Sequence, residues 1–264
     1  MVTRPHGEPT LRRRVVVPIV SGVLAALLLG VDAAPTARAD PLVEERMLLG
    51  SSKHGRPIHV FHEGDPDAVR ILVVGCIHGD ECAGIRIADR LRAGRPRRFV
   101  DLWVLPDLNP DGRAMRTRQN ARGIDLNRNF PYRWRPGPRG RYYPGPRPLS
   151  ERESRIAVRL ITRIEPDVTI WFHQPLALVD RSGGGVHVQR RYARLVGLPL
   201  VRLGRLHGTA TSWQNHTQRG STAFVVELPG GPLRPRGSRR YANAVLALAI
   251  HLDRRDDRLG SPGP

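Results

Sequence analysis

Residues 71–84 read ILVVGCIHGDECAG, an apolar run that passes directly into a glycine-rich polar turn. The run has the composition of a strand that is buried in a parallel or mixed sheet. Gly75 and Gly79 permit the sharp turn that leads from this strand into the helical pattern that follows it. We therefore place the centre of the fold, and its chemistry, at this turn.

The turn carries two metal-binding side chains, His78 and Glu81, at a spacing of three residues. Imidazole and carboxylate are two of the three side-chain types that bind zinc, and this spacing lets one turn direct both at one ion. A third ligand is required, and we predict His173, which ends the apolar strand at 167–172. In open α/β sheets, ligands collect just beyond the carboxyl ends of strands.

A second acidic residue, Glu227, lies near the end of another apolar strand, TAFVVELP at 222–229. An ionised carboxylate is costly to bury without a partner. We therefore expect Glu227 to face a cation, a polar cleft or both.

The N-terminal residues have the pattern of a secretory signal peptide. A basic stretch at 12–14 precedes apolar residues 15–31, and Ala37-Arg38-Ala39 is a small-x-small cleavage signal. We expect cleavage after Ala39, which leaves 40–264 as one catalytic domain outside the cell. The alternative is an uncleaved membrane anchor, because the apolar run of 17 residues is near the lower limit for a span.

The two cysteines of the chain, Cys76 and Cys82, flank the turn that carries His78 and Glu81. In an exported protein, a pair this close in sequence indicates a disulfide that pins the turn. The alternatives are two buried thiols or two thiolate ligands of zinc.

The composition indicates one domain with an ordinary core, since 40% of the 264 residues are hydrophobic. The formal charge of +19 is carried almost entirely by arginine. Such a surface adheres to polyanions, including anionic wall polymers, in a salt-dependent way. No recognisable nucleic-acid-binding module accompanies the charge, so specific nucleic-acid recognition is not expected.

The remaining pattern predicts an α/β fold. A hairpin is expected at 46–62, further strands at 99–105, 167–172 and 222–229, and helices at 84–95, 150–164, 186–195 and 239–256. Ser150 and Glu153 fit a capping box at the start of one helix. The segment 116–131 is dense in arginine and asparagine, and we expect it to face solvent or to line an anion-binding cleft.

Taken together, these residues resemble the zinc metallocarboxypeptidase family over residues 45 to 255. The motifs that carry the resemblance follow the family's order: HGDE at 78–81, NPDG at 109–112, Arg118, GIDLNRN at 123–129, His173, and VELP at 226–229. The resemblance implies a three-layer α/β/α fold with a twisted mixed sheet of about eight strands. The form LNRNFP at 126–131 looks similar to the bacterial murein peptide amidases, which cleave a γ-D-glutamyl–diaminopimelate bond in cell-wall peptides.

By this resemblance, His78, Glu81 and His173 hold one zinc ion per chain, with water in the open fourth position. Asp125 matches the carboxylate that orients the first of these histidines. These assignments imply a catalytic metal site.

The resemblance also implies the roles of four further residues. Glu227 matches the general base. Arg118 matches the guanidinium that stabilises the tetrahedral oxyanion. Asn127 and Arg128 match the pair that binds the terminal carboxylate of the substrate.

Two departures from the family stand out. Asp80 occupies the place of the family's usual arginine, and we expect it to meet a substrate amino group. No tyrosine occurs between residues 193 and 240, where the digestive enzymes carry a mobile tyrosine that closes the pocket. We expect Trp213 to form the specificity wall, with Thr211 and Ser212 as its lining.

The leading hypothesis is an exported zinc carboxypeptidase that acts on a peptide with a free carboxylate, in particular one from the cell wall. The first alternative is a zinc amidohydrolase that resembles the aspartoacylases and succinylglutamate desuccinylases. The second is a non-catalytic, basic protein of the same fold that binds wall polymers.

Overall fold

In the computed structural model of this chain, the described residues are 42–204 and 206–260, with side chains described up to residue 253. The signal peptide predicted at 1–39 lies outside these residues. Within them, no helix is both long enough and apolar enough to cross a membrane.

The described chain alternates strands and helices. The strands are β1 (Val43–Ser51), β2 (Pro57–Gly64), β3 (Arg70–Val74), β4 (Asp101–Leu105), β5 (Val168–His173), β6 (Leu176–Asp180), β7 (Leu200–Val201) and β8 (Thr222–Pro229). The helices are α1 (Ile85–Arg92), α2 (Pro110–Met115), α3 (Arg152–Ile164), α4 (Val186–Val196), α5 (Ala210–Thr217) and α6 (Pro235–Gly260).

The eight strands form one mixed sheet in the order β1-β2-β4-β3-β5-β8-β6-β7. The four central strands, β4, β3, β5 and β8, are parallel to one another, and the hairpin of β1 and β2 extends one edge in antiparallel pairing. Buried aliphatic runs without alternation are typical of such central strands. All of the side chains in β4 and β5 are buried.

Helices cover both faces of the sheet, which makes three layers. On one face, α1, α4 and α6 pack against side chains such as Phe172 and Phe224. On the other face, α3 and α5 pack against Trp171 and Val225. Successive residues of a strand point to opposite faces, so neighbouring positions of β5 and β8 enter different cores. The three-layer α/β/α fold expected from the sequence is confirmed.

The structure differs from the sequence prediction in a few elements. The short strands β6 and β7 and the helices α2 and α5 were not predicted. The strands are only five and two residues long, α2 begins with turn dipeptides, and α5 is polar. The capping box at the start of α3 is wrong: the Ser150 hydroxyl donates to Oε1 of Glu151 at 2.7 Å, and the N-cap residue Glu151 makes no side-chain capping bond.

Candidate active site

The predicted site residues meet at the carboxyl ends of three neighbouring parallel strands. His78 follows β3, His173 is the last residue of β5, and Glu227 lies in β8. The register pairs His173 directly with Glu227. Paired residues of parallel strands project to the same face of a sheet, so the sheet itself brings the second histidine and the acid together.

The two imidazoles and the carboxylate of Glu81 converge as a metal site requires. Nδ1 of His78 and Nδ1 of His173 each lie 3.1 Å from Oε2 of Glu81. The three candidate ligand atoms all lie within 4.8 Å of one another. Two imidazole nitrogens and one carboxylate oxygen are the donor set of catalytic zinc sites such as His₂Glu. The residues present therefore fit a zinc ion.

At two of the three residues, His173 and Glu81, the environment favours the protonation states that metal binding needs, neutral imidazole and ionised carboxylate. At His78, burial alone would lower the pKa, but the carboxylate of Asp125 outweighs it and raises this pKa above its usual value. Burial lowers the pKa of His173 to about 4. Burial alone would raise the pKa of Glu81, but hydrogen bonds from His173 and His78 outweigh it and hold this pKa well below its usual range. The site thus presents one neutral ring and one carboxylate near neutral pH.

Asp125 orients the first ligand from the opposite side. Its Oδ1 lies 3.0 Å from Nε2 of His78, which leaves Nδ1 of that ring for the metal. Its Oδ2 accepts a hydrogen bond from Nε of Arg118 at 2.9 Å. Partners of this kind fix ring orientation in metal sites. One buried carboxylate therefore places both a ligand and the neighbouring guanidinium.

The NPDG segment, residues 109–112, contacts the turn that carries His78 and Glu81. Asn109 donates from Nδ2 to the carbonyl of Ile77 and accepts at Oδ1 from the backbone N–H of Gly112, each at 3.0 Å. Gly112 packs directly on Gly79, because a Cβ added at Gly79 would lie 1.9 Å from the carbonyl carbon of Gly112. The two glycines allow two backbones to touch next to His78.

We expect Gly79→Ala to displace this turn. The added methyl group has no space, so the backbones must separate at a cost of about 3 kcal/mol of unfolding free energy or more. Thermal unfolding and zinc content should both fall. Gly204→Ala is the matched control, since nothing lies within 4 Å of an added Cβ there. Equal stability of the two variants would contradict the close contact.

A disulfide joins Cys76 and Cys82 across the turn. The bond closes a loop of the chain that contains His78 and Glu81. Neither sulfur is among the candidate metal ligands of the described residues. The disulfide interpretation of this pair therefore agrees with the structure better than the thiolate-ligand alternative.

Glu227 occupies a buried position beside the candidate metal site. Burial and the nearby negative charge of Glu81 raise the pKa of Glu227 to about 7. Its Oε2 is buried and has no hydrogen-bond partner among the described residues. A carboxylate that is held in this way is suited to accept a proton from water.

The three remaining predicted residues line an open cleft of about 820 Å³ that also contains Glu81, His173 and Glu227. Arg118 donates from Nη1 to Oε1 of Glu81 at 2.5 Å. Asn127 accepts at Oδ1 from the backbone N–H of Ala210 at 2.9 Å, which leaves its Nδ2 as the donor toward a ligand. Arg128 donates to the carbonyl of Asn127 at 2.7 Å. Residues of the arginine- and asparagine-rich segment thus line this cleft.

Among the cleft residues to which the sequence analysis gave no role is Tyr142. The guanidinium carbons of Arg118, Arg128 and Arg141 lie 5.2, 5.6 and 5.9 Å from the centre of its ring. The ring is 58% exposed and lines the cleft. The available signal was an aromatic pair within a segment of proline, glycine and arginine, which shows no periodicity and does not reveal its neighbours.

One expectation about the cleft needs correction, and another stays a prediction. Asp80 is exposed, and its Oδ2 lies 3.6 Å from Nη2 of Arg141, so contact between Asp80 and a substrate amino group stays a prediction. Trp213 is not a wall of the cleft: it is 7% exposed and packs in the core against Phe130, with ring centres 5.8 Å apart. Its neighbours Thr211 and Ser212 do line the cleft.

Comparison with known proteins places these residues in a family. Residues 35–178 match the family model described as zinc carboxypeptidase. The chain is 31% identical to murein peptide amidase A of Vibrio campbellii over 219 residues, which cover 77% of this chain and 83% of the relative. It is 34% identical to murein peptide amidase A of Escherichia coli K12 over 148 residues. That match covers 50% of this chain and spans 60% of the relative's length.

Solved structures show the same similarity. The murein-tripeptide amidase of Escherichia coli O157 superposes with a TM-score of 0.62 at 27% identity, covering 84% of this chain and 96% of that one. Carboxypeptidase A of Helicoverpa armigera superposes with a TM-score of 0.63 at 16% identity, covering 83% of this chain and 69% of that one. This similarity shows a shared fold. The family-model match ends before Glu227, so the place of that residue rests on its register with His173.

Proposed function

The chain belongs to the zinc carboxypeptidase family, and from this premise we propose that it is an exported zinc peptidase that hydrolyses an amide bond next to a free carboxylate in cell-wall peptides. The observation that carries the proposal is the convergence of both His Nδ1 atoms on Glu81 beside the buried carboxylate of Glu227.

The names of the relatives support the substrate class. Two of them are murein peptide amidases, and a third is a murein-tripeptide amidase. We propose the γ-D-glutamyl–diaminopimelate bond as the bond that is cleaved. Export is supported by the signal-peptide pattern of residues 1–39. Such a location would give the enzyme access to wall peptides.

The residues around the metal site divide the chemistry between them. A zinc ion held by His78, Glu81 and His173 would supply a Lewis acid for the scissile carbonyl and would lower the pKa of a water molecule. Glu227 accepts the proton of the attacking water and returns it to the leaving amine. Its position beside His173 in the sheet keeps the carboxylate on the same face as that ligand.

Two guanidinium groups bind the charges of substrate and transition state. Arg118 provides N–H donors for the oxyanion that forms on the carbonyl, and Asp125 holds this side chain in place. Arg128 and Nδ2 of Asn127 bind the terminal carboxylate, for which a planar guanidinium offers two parallel hydrogen bonds. Binding of the free carboxylate thus determines which amide bond of the substrate lies next to Glu227.

The decisive experiment is hydrolysis of defined substrates by the zinc-loaded protein, followed by mass spectrometry. A peptide with a γ-D-glutamyl–diaminopimelate bond should be cleaved at that bond. Cleavage of N-acyl amino acids but of no peptide would instead support the aspartoacylase-like alternative. Binding of wall polymers without any hydrolysis would support the non-catalytic alternative.

We expect Tyr142→Leu to raise KM by about tenfold while kcat changes little. The ring covers two guanidinium groups that bind substrate charges, and such contacts contribute about 0.5–2 kcal/mol. Tyr142→Phe should retain wild-type KM, because the ring rather than the hydroxyl makes these contacts. Tyr143→Leu is the control, since its ring contacts Arg139 and does not line the cleft. An unchanged KM in Tyr142→Leu would rule out this role.

A further inference from the structure

One wall of the cleft carries charges that the mechanism above does not use. Asp180 is the last residue of β6, Arg181 follows it, and Arg202 follows β7. All three line the same cleft as Glu81 and Glu227. They come from two parallel strands whose register pairs Asp180 with Val201.

The carboxylate of Asp180 is held in place and keeps capacity for a further partner. Its Oδ2 accepts from the hydroxyl of Ser182 at 2.6 Å, and its Oδ1 accepts from the backbone N–H of Leu203 at 2.9 Å. Each carboxylate oxygen has two lone-pair sites, so each can accept one more donor. No basic side chain of the described residues forms an ion pair with it.

The two arginines beside it are exposed and carry no acidic partner within the described part of the chain. The backbone N–H of Arg181 donates to the carbonyl of Val201 at 2.8 Å, which ties the two strand ends together. Two other arginines of the cleft have acidic partners: Arg118 contacts two carboxylates, and Arg141 lies 3.6 Å from Asp80. Arg181 and Arg202 are therefore available to a ligand.

We propose that Asp180, Arg181 and Arg202 form a subsite for a substrate side chain that ends in an amino-acid head group. Its ammonium would bind Asp180, and its carboxylate would bind one or both guanidinium groups. A wall that carried charges of only one sign would suit a purely acidic or a purely basic side chain. This wall instead presents a negative and a positive charge at neighbouring positions. The proposal rests on the proposed function, because the side chain of meso-diaminopimelate ends in such a group.

Three synthetic peptides test the subsite. They share the γ-D-glutamyl residue and differ in the C-terminal residue: meso-diaminopimelate carries both charges, lysine carries only the ammonium group, and 2-aminopimelate carries only the carboxylate. We expect kcat/KM of the wild-type enzyme to be highest for diaminopimelate, and about tenfold lower for each of the other two.

Charge-removing variants then assign each contact. Arg181→Gln and Arg202→Gln, alone and combined, should reduce the preference for diaminopimelate over lysine. Asp180→Asn should reduce the preference for diaminopimelate over 2-aminopimelate. Because asparagine keeps an oxygen that can accept from the backbone N–H of Leu203, the local structure should be retained. A merely structural role would lower hydrolysis of all three peptides equally. Arg159→Gln, an exposed residue of α3 outside the cleft, controls for the loss of one positive charge.

The outcomes separate the subsite from the proposed function. Equal hydrolysis of the three peptides by the wild-type enzyme would overturn the subsite and leave the peptidase function intact. Hydrolysis of none of them, together with turnover of N-acyl amino acids, would overturn both. A preference for diaminopimelate that no variant changes would show that recognition lies elsewhere in the cleft, and would also overturn the subsite.

Discussion

Replacing Glu227 with glutamine is expected to abolish hydrolysis while zinc binding is retained. The amide has the size of the carboxylate but cannot accept the proton of the attacking water. General-base catalysis typically contributes about 10² to 10⁴ in rate, so kcat should fall by about 10³-fold or more. The measurement is kcat on the diaminopimelate peptide, with zinc content determined on the same preparation.

The fold should tolerate this change. Glu227 lies in an environment that disfavours its charge, since burial and Glu81 raise its pKa to about 7. The neutral amide therefore introduces no new buried charge, and thermal unfolding should stay at or above the wild-type temperature. Glu165→Gln, a change at the C-cap of α3 and away from the cleft, should leave kcat unchanged. Full activity of Glu227→Gln would refute the assignment of the base.

Removal of one imidazole should have a comparably large effect by a different route. In His173→Ala, two of the three converging ligands remain, and catalytic zinc sites use three protein ligands. We expect zinc content to drop to background and hydrolysis to become undetectable. A chelator should do the same to the wild-type enzyme, and added zinc should restore the wild-type activity but not that of the variant.

The matched variant for this experiment is Asp125→Asn. Asp125 contacts His78 rather than the metal position, so the three ligands stay in place. Loss of such a supporting partner typically lowers metal affinity by about 10- to 100-fold. The zinc content of Asp125→Asn should therefore return at high zinc concentration. If His173→Ala also recovered with zinc, His173 would not be a ligand.

Much of the metal site could be predicted from the sequence because its parts are local. His78 and Glu81 share one turn, and the aliphatic runs before His78 and His173 predict that both stand at strand ends. The position of Cys76 and Cys82 around the same turn favoured a disulfide but left buried thiols and thiolate ligands as alternatives, and the structure has the disulfide. The polar segment around Arg118 was expected to face solvent or to line an anion-binding cleft, and its individual contacts could not be predicted from the sequence.

The errors concern residues whose roles depend on distant partners. Trp213 looked like a wall residue within a polar segment, but Phe130, 83 positions earlier, gives it a place in the core. Tyr142 showed no pattern at all, and its role appears only where three arginines surround its ring.

The sequence by itself determined the fold class, the ligand types and the strand ends that carry them, because these depend on periodicity and on spacing within short segments. Only the tertiary structure decided that β5 and β8 are neighbours in register, which brings Glu227 beside His173. It also decided that Asp180 and Arg202 line the same cleft as Glu81 and Glu227. The physical reason is that strand order and loop packing arise from contacts between segments far apart along the chain, which no local pattern encodes.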